Sequence, residues 1–332
     1  MPVTVPATAP GTTLVIGATG TTGSRTTAQL IAAGRRVKAA GRTATPLPGA
    51  EPVRFDWYDP STHGEALAGA DRVYLVPPVG DPDPAAVMLP FLERARAGGV
   101  RRAVLLSSSA IPAGGPAVGA VHQALPGLFE EWAVLRPSWF MQNFTGTHAH
   151  ADGIRADGTI LTAAGTGRVG FVDADDIAAV AVRALTDDRA PDTDLVLTGP
   201  QALSHDDIAA ILTEVTGRRV VHHRLTYDAL RERLAAVIPP EFAAMLAGMD
   251  RAIAEGAEDR TTDTVERLTG RPPHGFRAVA ERELTLRRPA AHAGPGTSRG
   301  ASANSRSQAA AAARAVRPAG SGRPRNPWNT PG

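Results

Sequence analysis

The stretch Thr12 to Gly34, TTLVIGATGTTGSRTTAQLIAAG, constrains this chain more than any other. A short apolar run ends in Gly17-Ala18-Thr19-Gly20-Thr21-Thr22-Gly23 and passes directly into a helical pattern that Gly34 stops. This reads as a buried strand, a glycine turn and a helix. Each glycine has its own mechanical use: Gly17 makes the tight turn, Gly20 lets backbone approach a diphosphate, and Gly23 lets helix pack closely on strand. The opened helix then offers unpaired N–H groups and its positive dipole end to an anion. The spacing therefore predicts a dinucleotide lying over Gly17, Thr19, Gly20, Thr21, Thr22 and Gly23, the other reading being an ordinary structural turn.

Further strand and helix patterns follow in alternation. A second apolar strand, from Arg36, ends at Gly41-Arg42. In a dinucleotide fold this end faces the adenosine ribose, where an acid binds a free 2′-hydroxyl and an arginine accommodates a 2′-phosphate. Arg42, with Thr43 beside it, therefore predicts NADP rather than NAD. A third strand, Pro52 to Phe55, runs into Asp56 and Trp57, which either border the adenine or serve as turn cap and core. A fourth, Asp71 to Val76, ends in Pro77-Pro78; a helix follows over about Asp83 to Gly98, and a fifth strand, Arg101 to Leu106, ends in Ser107-Ser108-Ser109. Five β/α alternations imply a doubly wound parallel α/β sheet, in which Gly17, Arg42, Asp56, Pro77 and Ser107 converge on the rim where ligands bind.

The 332 residues, 43% hydrophobic, suffice for one large α/β domain with additions. Cysteine is absent, which removes disulfides and thiolate chemistry. Neither an apolar run of membrane-spanning length nor a signal-peptide pattern is present, so a cytoplasmic protein without membrane contact is expected. Eight arginines and no acid lie beyond Glu283, so the net charge of +2 leaves about −6 on residues 1–283. That balance is unlike a nucleic-acid-binding domain, and nonspecific contact by the basic tail is the one nucleic-acid interaction expected. The tail, residues 287–332, is rich in Ala, Gly, Ser, Pro and Arg and reads as disordered; residues 1–11 read as a flexible start.

Four elements, IGATGTTG, LLSSSAI, VLRPSWFMQNF (Val134 to Phe144) and VGFVDADDIAAVA (Val169 to Ala181), resemble the NmrA-like branch of the atypical short-chain dehydrogenase/reductases. The sequence is most similar to the group that holds the festuclavine and agroclavine dehydrogenases and the NAD(P)H:quinone oxidoreductases. The resemblance covers roughly residues 12 to 285. It implies a Rossmann core over residues 12–150, a smaller C-terminal α/β substrate-binding region over 151–286 interleaved with that core, and NADPH as reductant, NADH being the lesser expectation. Members similar to the regulator NmrA bind dinucleotide without chemistry, so a catalytically silent NADP sensor acting through a protein partner is the alternative function.

Ordinary short-chain dehydrogenases stabilise a developing alkoxide with a tyrosine and a lysine four residues on. Here Lys38 is the only lysine, and it lies in the second strand; Tyr58, Tyr74 and Tyr227 all lie outside the segment between the fifth and sixth strands. An imine, iminium, quinone or enone acceptor needs less help, because hydride addition to a cationic C=N carbon yields a neutral amine. If an acid is used, His122 is the candidate, an exposed helix histidine without a role being the other reading. Pro126-Gly127 makes that helix more broken than is usual in the family. Ser108 and Ser107 would border the nicotinamide, or cap the following turn. Trp139, Phe140 and Asn143 are candidates for substrate contact, with core packing the alternative for the aromatics.

The later segments read as a helix over Phe140 to Ala151, a glycine-linked hairpin of Thr159 to Thr162 with Val169 to Val172, and a helix from Asp175 to Leu185. Asp173, Asp175 and Asp176 read as helix capping; neither a metal nor a flavin is expected. His222 and His223 alternate on a strand and so face opposite ways. Residues 239–256 form an amphipathic helix that either lines the substrate pocket or packs in the core. Monomer and homodimer are equally compatible with the sequence.

Overall fold

The computed structural model describes residues 11–285. The tail expected over 287–332 and the flexible start expected over 1–11 lie outside the described residues, Gly11 apart.

The first half of the chain alternates strand and helix: β1 (Thr12–Ile16), α1 (Thr21–Ala32), β2 (Arg36–Gly41), β3 (Glu51–Arg54), α2 (His63–Leu67), β4 (Ala70–Leu75), α3 (Ala85–Ala97), β5 (Arg102–Leu106), α4 (Gly119–Leu128) and β6 (Glu131–Pro137). It continues through α5 (Gln142–Thr145), α6 (Ala149–Asp157), β7 (Thr159–Thr162), β8 (Arg168–Val169), α7 (Ala174–Thr186), β9 (Thr193–Leu197), β10 (Leu203–Ser204), α8 (His205–Thr216), β11 (Val221–Arg224), α9 (Tyr227–Ala235), α10 (Pro240–Ala254), α11 (Thr264–Thr269) and α12 (Phe276–Thr285).

Seven strands form one sheet in the order β3-β2-β1-β4-β5-β6-β9, every pair parallel. Both faces are covered, as a parallel sheet requires. The side chains of β1 show how: Leu14 and Ile16 join a cluster with Phe55, Met88, Phe91 and Leu125, whereas Val15 joins Tyr74, Leu135, Ile177 and Leu195 on the other face. This is the doubly wound fold that the alternation predicts. Strand order reverses between β1 and β4, which opens a crevice at their carboxyl ends.

A third apolar cluster, with Phe144, Ile160, Phe171, Ile208, Leu212 and Val279, belongs to the later segments. Two expectations fail there. The expected hairpin does not form: β7 pairs in parallel with β11, and β8 pairs antiparallel with β10. The connection is drawn toward α10 instead, where Asp250 accepts the Ala163 N–H at 2.8 Å. Gly167 lies so close that a Cβ on it would stand 2.1 Å from the Ile253 carbonyl oxygen. The expected helix over Phe140 to Ala151 is two helices, α5 and α6, separated at Gly146. Side chains of α5 are held elsewhere, Gln142 by Asp173 and Thr145 by Glu283, and they divert the chain. On β11, His222 is buried and His223 exposed, as alternation demands.

Candidate active site

The glycine turn is shaped from below and open from above. Gly17 has φ +71°, a left-handed conformation that side chains rarely adopt. The Gly20 N–H donates to the Gly17 carbonyl at 2.9 Å and closes the turn. A Cβ on Gly23 would sit 2.1 Å from the Gly17 carbonyl oxygen, so only glycine lets α1 approach β1 this closely. Gly20 is exposed, and a Cβ there would meet only that same oxygen, at 3.2 Å. No side chain caps the start of α1, and its first turn carries no acid. Exposed Thr19, Gly20 and Thr21 border an uncapped helix start, the donor set that a diphosphate fits. Thr22 differs from the other candidates because its side chain is buried, which leaves its backbone N–H as the group facing the turn.

Arg42 is exposed directly after β2, and among the described residues no acid pairs with it. Thr43 stands beside it, its hydroxyl 3.0 Å from that of Thr45. Asp56 accepts the Tyr58 N–H at 3.0 Å and so caps a turn. Trp57 belongs to the core: it is 8% exposed, packs edge-on against Phe55 and Phe91, and donates its indole N–H to the Val76 carbonyl at 3.1 Å. That bond anchors the end of β4 just before half-buried Pro77. Lys38 is buried, donating to the Glu65 and Ala68 carbonyls at 2.7 and 3.0 Å, and so ties β2 to α2.

At the end of β5 the three serines divide the work. The Ser107 hydroxyl is buried and unpartnered among the described residues. Ser108 accepts the Ala110 N–H at 3.3 Å, a turn cap. Ser109 donates to Glu258 at 2.9 Å, both side chains being buried. Burial pushes the Glu258 carboxyl up, while the Ser109 bond and Arg260 act against it. Arg136 donates to the Ser108 and Ser109 carbonyls at 3.4 and 2.9 Å and pairs with Asp194 at 2.5 Å, which fixes the loop from three directions. His122 is 6% exposed, not an exposed helix residue, and its Nδ1 has no partner among the described residues. Burial lowers its pKa; Asp194 opposes that shift and Arg136 adds to it, so the ring is neutral near pH 7. Asp194 and Glu258 escape a motif search, whereas Arg136 stands inside the VLRPSWFMQNF element, which by itself assigns it no role.

Half-buried Trp139 packs against the third cluster and half-buried Phe140 against the α1/α7 face of the sheet. Asn143 opens no further than half-buried, its N–H donating to the Phe140 carbonyl at 3.1 Å. Asp173 caps α7 by accepting the Asp175 N–H at 3.2 Å. Asp173, Asp176 and His274 do bring ligand atoms within 4.8 Å of one another. Arg282 at 2.8 Å from Asp173 and Arg271 at 2.7 Å from Asp176 already neutralise these carboxylates, so the group is an ion-pair network.

Comparison with known proteins agrees with this geometry. An NAD(P)H-binding family profile matches residues 17–188, and an NmrA-like family profile matches residues 131–274. An uncharacterized oxidoreductase, YesF, of Bacillus subtilis is 46% identical over 80% of this chain and 93% of its own. Festuclavine synthase II of Penicillium roqueforti is 38% identical over 82% of this chain and 98% of its own. Among solved structures, an NADPH-dependent quinone oxidoreductase from Escherichia coli superposes with a TM-score of 0.69 at 22% identity, covering 82% of this chain and 99% of that one. A glycine turn open to a diphosphate, a doubly wound sheet and relatives matched along nearly their whole length place the chain in the NmrA-like family of NAD(P)H-binding oxidoreductases.

Proposed function

We propose that the chain is an NADPH-dependent reductase of a small conjugated acceptor, an imine or iminium, quinone or enone, acting in specialised metabolism. One observation carries the reading: an uncapped α1 behind an open glycine turn, with Arg42 exposed after β2 and unpaired among the described residues, where a dinucleotide fold takes a 2′-phosphate. The similarity to festuclavine synthase II supports a reductase of this type. The reduced nicotinamide, when bound, supplies hydride. This chain's residues bind, orient and exclude water. Arg136 and Glu258 hold the Ser107–Ala110 loop at the end of β5, where the buried Ser107 hydroxyl has no partner among the described residues. The sole lysine, Lys38, is committed to the β2–α2 contact, which favours acceptors whose reduction needs no alkoxide stabilisation. For acceptors that must gain a proton, neutral His122 is the group to deliver or relay it.

Following the absorbance of reduced nicotinamide with a cyclic iminium and with a quinone tests the reading. Turnover with at least one acceptor, faster with NADPH than with NADH, is the expected result. No turnover with any acceptor, together with tight binding of oxidised NADP and a recoverable protein partner, would establish the silent sensor instead.

A further inference from the structure

The segment after α10 is built onto the carboxyl rim of the sheet. Thr262 donates its N–H to the Thr198 hydroxyl at 2.8 Å and its own hydroxyl to the Val196 carbonyl at 2.9 Å, which ties the segment to the end of β9. The Arg260 carbonyl oxygen lies so close to Gly170 that a Cβ there would stand 2.5 Å from it. Glu258 is thereby carried to the end of β5, where one of its oxygens, Oε2, accepts the Ser109 hydroxyl at 2.9 Å. Its other oxygen, Oε1, faces the Arg260 guanidinium at 3.7 Å. Arg260 keeps 45% of its side chain in solvent and lines an open cleft of about 500 Å³ together with Arg168 and Thr261. One buried carboxyl therefore meets the β5 rim on one side and a solvent-facing residue on the other.

An anchor for this loop does not need an acid. A glutamine would accept the same Ser109 bond without the cost of burying an ionisable group. Ser109 is moreover already fixed through its main chain, its N–H donating to the Pro137 carbonyl at 2.9 Å and its carbonyl accepting from Arg136 at 2.9 Å. The charged groups that face Glu258 are Arg260 of its own segment and Arg136 of β6, the latter paired with Asp194. Both arginines and the Ser109 bond favour the ionised carboxylate, yet burial outweighs them and raises the carboxyl above its ordinary value. The group therefore keeps a proton at a higher pH than an exposed glutamate does. Once protonated, it donates to Ser109 Oγ instead of accepting from it, which frees the serine hydrogen for another oxygen.

We propose that Ser109 and Glu258 form a proton relay to the acceptor, with Ser109 as the donor at the rim and Glu258 as the acid behind it. The inference rests on the reductase reading above and adds a route to the one that His122 offers. Hydride addition to a neutral quinone or enone leaves negative charge on the acceptor oxygen. The Ser109 hydroxyl passes its proton to that oxygen, the Glu258 carboxyl passes its own to Ser109, and the remaining carboxylate is reprotonated by water from the Arg260 cleft. An iminium acceptor becomes a neutral amine on hydride addition and draws no proton, so it bypasses the relay.

The test compares kcat/KM for menadione, a neutral quinone, with kcat/KM for N-methyl-3,4-dihydroisoquinolinium, using the full chain and NADPH. Glu258→Gln keeps an oxygen for Ser109 and loses the acid; Ser109→Ala removes the hydroxyl. Each should lower the menadione value by at least about tenfold and the iminium value by less than about twofold, and the double variant should be no slower than the worse single one. Equal losses with both acceptors would make the pair a structural anchor and overturn the proposal, as would no loss at all. In the wild type, menadione turnover should fall as pH rises through a group above the ordinary glutamate value of about 4.3, and Glu258→Gln should abolish that arm. An arm that survives in Glu258→Gln and vanishes in His122→Ala assigns the proton to the imidazole and overturns the relay. A measurement without turnover uses the coenzyme-free chain: difference infrared spectra, wild type minus Glu258→Gln, should show a carboxylic acid band that persists above about pH 4.3, and its loss at or below that pH overturns the proposal. A wild type that reduces the iminium alone leaves the relay without an acceptor and overturns it while the reductase stands. A wild type that oxidises NADPH with neither acceptor sinks both readings.

Discussion

At the scale of single residues, function here depends on what is left uncommitted. Charged side chains near the rim are spoken for, Arg136 by Asp194 and two carbonyls and Glu258 by Ser109. Arg42 is the exception, exposed directly after β2 and unpaired among the described residues. A guanidinium meeting a 2′-phosphate makes charge-assisted bonds of about 1.5–3 kcal/mol, so Arg42→Ala should weaken NADPH binding by roughly 10- to 100-fold. NADH, which lacks that phosphate, should lose no more than about threefold. Equal losses in a fluorescence titration with both coenzymes would remove the 2′-phosphate role. The glycines of the turn were legible in sequence because what they satisfy is local: Gly23 answers to Gly17, six residues earlier. Glu258 was not, because its partner Ser109 lies 149 residues away and only the fold joins them. Trp57 stood undecided between adenine edge and core until the Val76 carbonyl and the Phe55 and Phe91 rings around it became visible.

Among the elements, α6, α8 and β11 meet through histidines. Ring centroids of His148 and His150 are 4.8 Å apart, of His150 and His205 6.0 Å, and of His205 and His222 5.3 Å. Burial drives the pKa values of His150 and His205 down to about 3, and neighbouring imidazoles push the same way. Both rings are therefore neutral in the folded chain but titrate near 6.5 when it unfolds. Their contribution to stability is complete above about pH 6.5 and is lost as pH falls toward 3, at about 1.4 kcal/mol per pH unit for each. Asp250, raised to about 6, works in the opposite direction, so a variant is more diagnostic than the absolute slope. His205→Phe keeps a ring beside Phe144 and Phe171 and removes one titrating group. Between pH 6.5 and 5 it should remove one histidine's share of the fall in stability, about 1.4 kcal/mol per pH unit at most; a slope identical to wild type would show that His205 does not report the cluster. Strand pairing explains what sequence missed at this scale. The segments of β7 and β8 look like a hairpin because a glycine-containing link joins them, yet the partner of β7 is β11, about 60 residues on. Central strands β1 and β5 were readable without their partners because each is a largely apolar run buried on both faces.

Across the whole molecule, the chain closes on itself through one charged network. Asp173 and Asp176 at the start of α7 are fully buried, and the segment holding α11 and α12 supplies their cations, Arg282 at 2.8 Å from Asp173 and Arg271 at 2.7 Å from Asp176, with a His274 ring nitrogen 2.9 Å from both carboxylates. Glu283 reaches Arg25 of α1 at 2.8 Å and Gln142 of α5 at 2.8 Å. The last described helix thus braces the helix that opens at the glycine turn and the start of α7 together. Burial works to raise the Asp173 carboxyl, but Arg282 and Gln142 outweigh it and hold the group below the usual carboxylate range. The depressed pKa sets the sign: this contribution is present above about pH 4 and is lost as acid protonates Asp173. Removing a cation leaves a buried charge short of its partner, which costs about 3–5 kcal/mol when the pair is wholly buried. Arg282 keeps 35% of its side chain in solvent, and His274 and Gln142 remain on Asp173. Arg282→Ala should therefore destabilise the fold by about 2 kcal/mol in urea at pH 7. The loss should shrink as pH falls toward 3, where the orphaned carboxylate becomes neutral. A loss of the same size at both pH values would mean that the arginine contributes through its packed stem and that the brace is apolar rather than electrostatic.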